Sequence, residues 1–429
     1  MKYEKYKDSG VVWLGEVPEH WEVKRLKFLC QFINGFAFKS DIFSADAEFP
    51  VIRIGDICNE KISYDDVLYV EKQNALIGYE VACNDILIAM SGATVGKVGL
   101  CTSDDRGYIN QRVGILRSDN YKSIWYNLLS PIFLEYIYLM SDGSAQPNIS
   151  ATGIKNYYIA LPPLPEQQAI ANYLDAKCAK INGSIDVQKR KIELLNELKQ
   201  TIITDAVTKG LNPHAPMKNS GVEWIEEVPE HWEVMKTSLV FDGIGSGTTP
   251  STSNKNYYAE DDGLYWLQTG DLNDGNIEDT SKKITQLAVD ECKLKFYPSD
   301  SVVIAMYGAT IGKVGLLKIS TATNQACCVL PKSKRCLPSF AFFLFLGAKK
   351  QLLVDAMGGG QPNISQDIIK KLKVSLPPLS EQQTIVNYLE AETSKIDAQI
   401  AKINRRIELL NELKQSIITE AVTGKIKVC

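Results

Sequence analysis

Two nine-residue stretches, SGATVGKVG at 91–99 and YGATIGKVG at 307–315, carry glycines and a lysine much as a nucleotide-binding loop does. Such a loop needs four residues between its glycines and a Ser or Thr after the lysine to hold magnesium. Here only three residues separate Gly92 from Gly96 and Gly308 from Gly312, and Val98 and Val314 stand where the hydroxyl belongs. Neither stretch is a nucleotide site. Two other roles fit: a tight hairpin whose glycines supply positive φ, and contact of Thr94, Lys97, Thr310 and Lys313 with nucleic-acid phosphates.

The other reactive residue types form no catalytic pattern. Of three histidines, His20 and His231 stand beside Trp21 and Trp232 in a repeated PEHWEV, where packing is expected rather than proton transfer; the third is His214. There is no G-x-S-x-G, no H-E-x-x-H, and no G-x-G-x-x-G after a strand. The Pro-Pro pairs at 162–163 and 377–378 lie in LPPL, not in the Asn-Pro-Pro-aromatic motif of amino-methyltransferases. Ten cysteines, among them Cys30, Cys83, Cys178, Cys327, Cys328 and Cys429, make no zinc spacing and are expected to be reduced, buried and structural. The chain does not read as a catalyst, and no metal or cofactor is expected on it.

Composition bounds the rest. The chain has 429 residues, enough for two or more domains with their own cores. A formal charge of −4 gives no global pull toward nucleic acid, so any such surface must be local or completed by a partner. The longest apolar run, SFAFFLFLGA at 339–348, falls short of the roughly 20 residues that span a bilayer. MKYEKYKDSG lacks the apolar core of a signal peptide, and a cytoplasmic location is expected.

The elements that must position these residues are written twice. DSGVVWLGEVPEHWEV (8–23) returns as NSGVEWIEEVPEHWEV (219–234), IAMSGATVGKVGL (88–100) as IAMYGATIGKVGL (304–316), INQ (109–111) as TNQ (323–325), and QPNIS (146–150) as QPNIS (361–365). The longest match sets 161–210 against 376–425, with 31 identities in 50 positions and IELLNELKQ verbatim at 192–200 and 407–415. Between these islands the halves diverge. Shared framework with divergent loops is the pattern of two modules doing one job on different targets.

Each half closes with a long predicted helix. Leu174, Ile181, Ile185, Ile192, Leu195 and Ile202 recur at spacings of three and four, as do Leu389, Ile396, Ile400, Ile403, Ile407, Leu410 and Ile417, which suits pairing of two helices. From Glu166 to Val207 such a helix runs about 63 Å at ~1.5 Å per residue. Pro165 fits its opening turn, Ser380 with Gln383 suits a capping box on the second copy, and Gly210 and Gly424 suit the ends. Gln188, Lys199 and Lys414 interrupt the seam. DILIAM (85–90) and SVVIAM (301–306) read as buried strands followed by a return strand at KVGL, and 123–140 and 338–357 as buried helices.

The ordered set of a W-x-x-x-VPxHWxV opening, a GxTxGKVG turn, a QPNIS loop and an LPPLxEQ helix start, given twice, resembles the specificity subunit of type I restriction-modification systems. The resemblance covers essentially the whole chain. It implies a mixed α/β (α+β) fold: two globular target-recognition domains at 1–160 and 211–375, joined by long antiparallel coiled-coil helices at 161–210 and 376–429 in a pseudo-two-fold internal repeat. Each domain would read half of a bipartite site in double-stranded DNA. The helices would set the spacing and dock two modification (methyltransferase) subunits, with restriction (motor/nuclease) subunits in the full complex. S-adenosylmethionine, ATP and Mg would then bind the partners. Three other readings stay open: a subunit of a related restriction type with a fused methylase-nuclease partner, a coiled-coil adaptor that meets no DNA, and a stand-alone DNA-modifying enzyme.

Residues identical in both halves cannot tell two half-sites apart, so base reading is expected in the divergent stretches. Arg53 in RIGDI aligns with Gln268 in QTGDL, and Arg favours guanine where Gln favours adenine. Further candidates are Lys39, Tyr64, Arg112 and Arg117 in the first half, and Thr248, Lys255, Tyr257, Tyr258, Lys282 and Lys283 in the second.

Overall fold

A computed structural model describes residues 2–141, 147–356 and 363–428. The chain divides into two compact units, one formed by 1–188 with 404–429 and the other by 189–403. Each unit thus takes its globular part, the adjoining stretch of one long helix and a stretch of the other.

In the first unit the continuous apolar run of Ile86–Ala89 is wholly buried in a four-stranded antiparallel sheet. It lies between Val98–Leu100 and Val113–Arg117, with Gln31–Asn34 beyond. Gly92 and Gly96, at φ of 73° and 81°, turn the chain between the first two, as expected of a tight hairpin. A smaller sheet runs Tyr108–Ile109, Phe49–Ile52, Leu68–Val70. The stretch 123–140 forms two helices, Tyr121–Leu128 and Pro131–Met140, because Ser130 is extended and Pro131 opens the second. The second helix is less buried than expected: Tyr138, Leu139 and Met140 face outward at its end.

The second unit repeats the plan. Val302–Ala305 is buried between Val314–Leu317 and Cys327–Leu330 in a five-stranded sheet, and Gly308 and Gly312 take φ of 86° and 75° at the turn. A second five-stranded sheet contains Leu264–Leu267 and Thr321–Thr323. Pro338–Gly347, buried nearly throughout, packs against the strands.

The long helices run Leu164–Lys209 and Leu379–Val422, and each ends at a glycine of positive φ, Gly210 or Gly424. In the first unit 167–171 lie beside Val422 and Cys178 beside Lys414. In the second, Lys199 meets Asp397 at 2.7 Å while Ile203, Ala206 and Val207 share a core with Ile385, Val386 and Leu389. The order reverses along the partner each time, so the pairing within each unit is antiparallel.

Leu174, Ile181, Ile185, Leu389, Ile396 and Ile403 are buried, and Ile192, Leu195, Ile400, Ile407 and Leu410 half-buried. Towards the ends the seam departs from expectation, since Ile202 and Ile417 are half-buried and their neighbours Ile203 and Ile418 take the core positions. A straight helix at 3.6 residues per turn drifts about 20° per heptad from a strict heptad pattern. From Ile185 to Ile203 is five such turns.

The starts of these helices explain two of the repeated motifs. Gln167 donates its amide to the carbonyl of Pro162 at 2.6 Å, and Gln382 does the same to Pro377 at 2.8 Å. Glu166 accepts from His20 at 2.8 Å and from the Trp21 indole at 3.2 Å, and Glu381 accepts from His231 at 2.8 Å. PEHW and LPPLxEQ are therefore two halves of one joint, consistent with a packing role for the histidines. The capping box expected at Ser380 is absent: the helix begins one residue earlier, so the Ser380 carbonyl accepts from Thr384 and the Gln383 amide turns to Asn387.

Candidate nucleic-acid interface

Three of the repeated motifs meet at the end of the first unit's main sheet. Met90 N–H donates to the carbonyl of Arg112, Ile149 N–H to Met90 and Gly92 N–H to Pro147, each at 2.9 Å. Ser91 pairs with Asn148 as an antiparallel bridge. Between them opens a cleft of about 570 Å3 whose lining includes Ser91, Gln111, Arg112, Asn148 and Ser150, with no carboxylate among the described residues. The Arg112 guanidinium donates to the buried Ser91 hydroxyl at 3.1 Å.

The second unit repeats the backbone ladder, with Met306 N–H donating to Ala326 at 2.8 Å and Ile364 N–H to Met306 at 2.7 Å. Gln325 and Asn363 are exposed there, as Gln111 and Asn148 are in the first unit. Gln146 of the first QPNIS, and Gln361 and Pro362 of the second, lie outside the described residues. Sequence reasoning missed Gln111 and Asn148. Their signal in the sequence is that they are polar and duplicated, which the expectation of base reading in divergent stretches passes over.

A second cleft in the first unit, of about 620 Å3, has the opposite character. Asp46, Glu48, Glu71 and Glu80 line it beside Lys72 and Arg106, a field that repels a polyanion.

Arg53 and Gln268 occupy one structural position. Each precedes a single 3-10 turn, and each backbone N–H donates to the aspartate three residues on, Asp56 at 2.7 Å and Asp271 at 2.8 Å. Arg53 also folds back, reaching Asp56 at 3.4 Å and the Asp66 carbonyl.

Arg117 is placed differently from a groove-reading side chain: it forms a two-pronged pair with the fully buried Asp85, at 2.7 and 2.6 Å, and serves as an internal tie. The Tyr64 hydroxyl is likewise engaged, donating to the Arg106 carbonyl and accepting its N–H. Tyr257 donates to Glu291, Tyr258 to the Pro250 carbonyl, and Lys283 to the Asp261 carbonyl. Lys39, Thr248, Lys255 and Lys282 are exposed. In the turns Lys97 is exposed, Thr310 and Lys313 are half-buried, and the Thr94 hydroxyl is buried with no hydrogen-bond partner among the described residues.

The thiols depart from expectation at Cys58 and Cys83, which are exposed because Cys58 ends a strand of a small two-stranded hairpin and Cys83 lies in a turn, and at Cys30 and Cys292, which are half-buried. Burial pushes the Cys30 thiol up to about 11 and Cys328 up to about 12, so neither offers a thiolate nucleophile at neutral pH. Cys429 lies outside the described residues. Among the described residues no group of His, Cys, Asp and Glu is disposed to hold a metal ion, and no helix is long and apolar enough to cross a membrane.

The family model described as "Type I restriction modification DNA specificity domain" matches this chain twice, at 18–197 and 229–409. The chain belongs to that family. The two matches fall one on each repeat, so this specificity chain carries the domain in duplicate. It is 27% identical to the type I restriction enzyme MjaVIII specificity subunit of Methanocaldococcus jannaschii, over 96% of this chain and 94% of that protein. It is 23% identical to the EcoKI specificity subunit of Escherichia coli K12, over 96% and 90% respectively. A solved chain from a study of assembly and conformational transition of a type I restriction-modification system shares the fold, with a TM-score of 0.67 at 17% identity over 96% of this chain and 99% of that one.

Proposed function

We propose that this specificity chain reads DNA in two different halves, one per unit, and brings modification subunits to it without catalysing a reaction itself. The observation that carries the reading is the pairing of sameness with difference at one position. Arg53 and Gln268 are held by equivalent turns and equivalent aspartates, yet carry a guanidinium in one unit, resting on Asp56 and the Asp66 carbonyl, and a carboxamide in the other. These groups favour guanine and adenine respectively in the major groove. S-adenosylmethionine, ATP and Mg belong to partner subunits in this reading, and the two long helices set the separation of the half-sites.

The duplicated IELLNELKQ supports two identical docking sites. Leu194 and Leu198 are each 49% exposed, and their counterparts Leu409 and Leu413 are 48% and 49% exposed. Leucines four apart share one helix face, and an apolar pair on the surface of a charged helix marks a place for a partner. Native mass spectrometry of the chain with its modification subunits tests this. Leu194→Glu with Leu198→Glu should reduce two bound modification subunits to one, and adding Leu409→Glu and Leu413→Glu should reduce one to none. Retention of both subunits by the fourfold variant contradicts the docking.

A further inference from the structure

Identity between the halves is mostly explained by packing, as for the buried strands, the turn glycines and the histidine–glutamate joints. Gln111 with Gln325, and Asn148 with Asn363, escape that explanation. All four side chains are exposed. Among the described residues neither Gln111 nor Asn148 is hydrogen-bonded to another side chain, whereas Ser150 and Ser365 of the same loop already cap the helices that follow them. Gln325 accepts from the Thr249 hydroxyl, a residue of the divergent stretch, and Gln111 has no matching contact among the described residues, so packing does not explain why the two positions are the same.

Their placement adds a second observation. Gln111 and Asn148 are 37 positions apart, yet the Met90 ladder brings both to the one cleft, where Arg112 adds a cation and no carboxylate enters among the described residues. Amides and a guanidinium are hydrogen-bond donors to anionic oxygen. Two units with divergent reading loops share the modification subunits, for which the exposed leucines of the long helices are the docking face, and the DNA backbone, which carries one phosphate per nucleotide whatever the sequence and suits a cleft of hydrogen-bond donors.

We propose that Gln111, Asn148 and Arg112 grip the sugar-phosphate backbone at a point independent of its sequence, and that Gln325 and Asn363 do so in the second unit. The inference rests on the DNA-reading function above. The common grip fixes each unit on the duplex, and the divergent loops then meet base edges in a set register. Arg112 has Ala326 as its counterpart, so the first unit's grip carries one more charge.

The test is fluorescence anisotropy of the full chain with its modification subunits, on a duplex containing its methylation site and on a scrambled duplex of equal length, across a range of salt. Gln111→Ala with Asn148→Ala should weaken both duplexes by the same factor, about threefold to tenfold for one or two lost hydrogen bonds, and leave the salt slope unchanged. Arg112→Ala should lower that slope by about one. Unchanged melting of the variants checks that the fold is intact. A variant that changes which duplex is preferred overturns the proposal in favour of base reading, and variants that bind both duplexes as well as the parent overturn it outright. If the parent shows no preference between duplexes while the variants weaken both, the backbone grip stands and the sequence-reading function falls.

Discussion

Lys414 of the C-terminal helix places its ammonium 2.7 and 2.9 Å from the two carboxylate oxygens of Glu60, and its side chain is only 7% exposed. Its counterpart in the repeat, Lys199, instead meets Asp397 across the helix pair, with both partners far more open to solvent. The difference traces to one residue: Asn182 stands in the first helix where Asp397 stands in the second, so Lys414 lacks a partner across the helices. Glu60 supplies it from a left-handed backbone at φ of 65°.

Removing one partner from a buried pair costs far more than breaking an exposed one. Lys414→Ala should therefore destabilise the first unit by about 2–3 kcal/mol, the low end for a buried pair because Glu60 is partly exposed. Lys199→Ala should cost no more than about 1 kcal/mol. Thermal unfolding of the two variants side by side checks this, and equal losses would refute it.

Alkylation of the native chain should modify Cys58 and Cys83 quickly and spare Cys101, Cys327 and Cys336. Burial raises the pKa of those three thiols and also closes them to reagent. Peptide mass mapping before and after denaturation reads the difference.

Arg53→Gln should alter base preference at one position of one half-site, by about 1–3 kcal/mol, and leave the other half-site unchanged. The substitution keeps the backbone N–H that Asp56 holds, so the turn should survive. Methylation patterns of the variant that match the parent at every position would remove Arg53 from base reading.

A fragment of residues 1–210 should dimerise. In the intact first unit Ile170, Leu174 and Cys178 share a core with Ile418, Ala421 and Val422, which the fragment lacks. Residues Ile203, Ala206 and Val207 of a second copy are the same residue types at the same repeat positions. Sedimentation equilibrium should give twice the fragment mass, and a folded monomer would contradict the equivalence of the repeats.

What sequence made legible was whatever depends on local pattern. The runs ILIA and VVIA are apolar at every position, which suits a strand covered on both faces, and the glycines of GATVG mark a turn by their conformational freedom alone. The helix seam was legible near Leu174 and Leu389 but slipped by one residue at Ile202 and Ile417, where heptad counting outran the true helical period. Arg117 looked like a free cation because its partner Asp85 lies 32 positions away, just before a neighbouring strand. The cleft was hidden for the same reason, since only the folded ladder through Met90 joins Gln111 to Asn148.

In the proposed function, two units of one framework read two different half-sites. Base-resolution mapping of methylation in DNA from cells carrying this chain with its modification subunits tests it most directly. The expected result is a single bipartite target: two unlike specific sequences separated by a fixed run of unspecified bases, with one methylated position in each. A continuous target, a palindrome, or methylation that ignores sequence would contradict it.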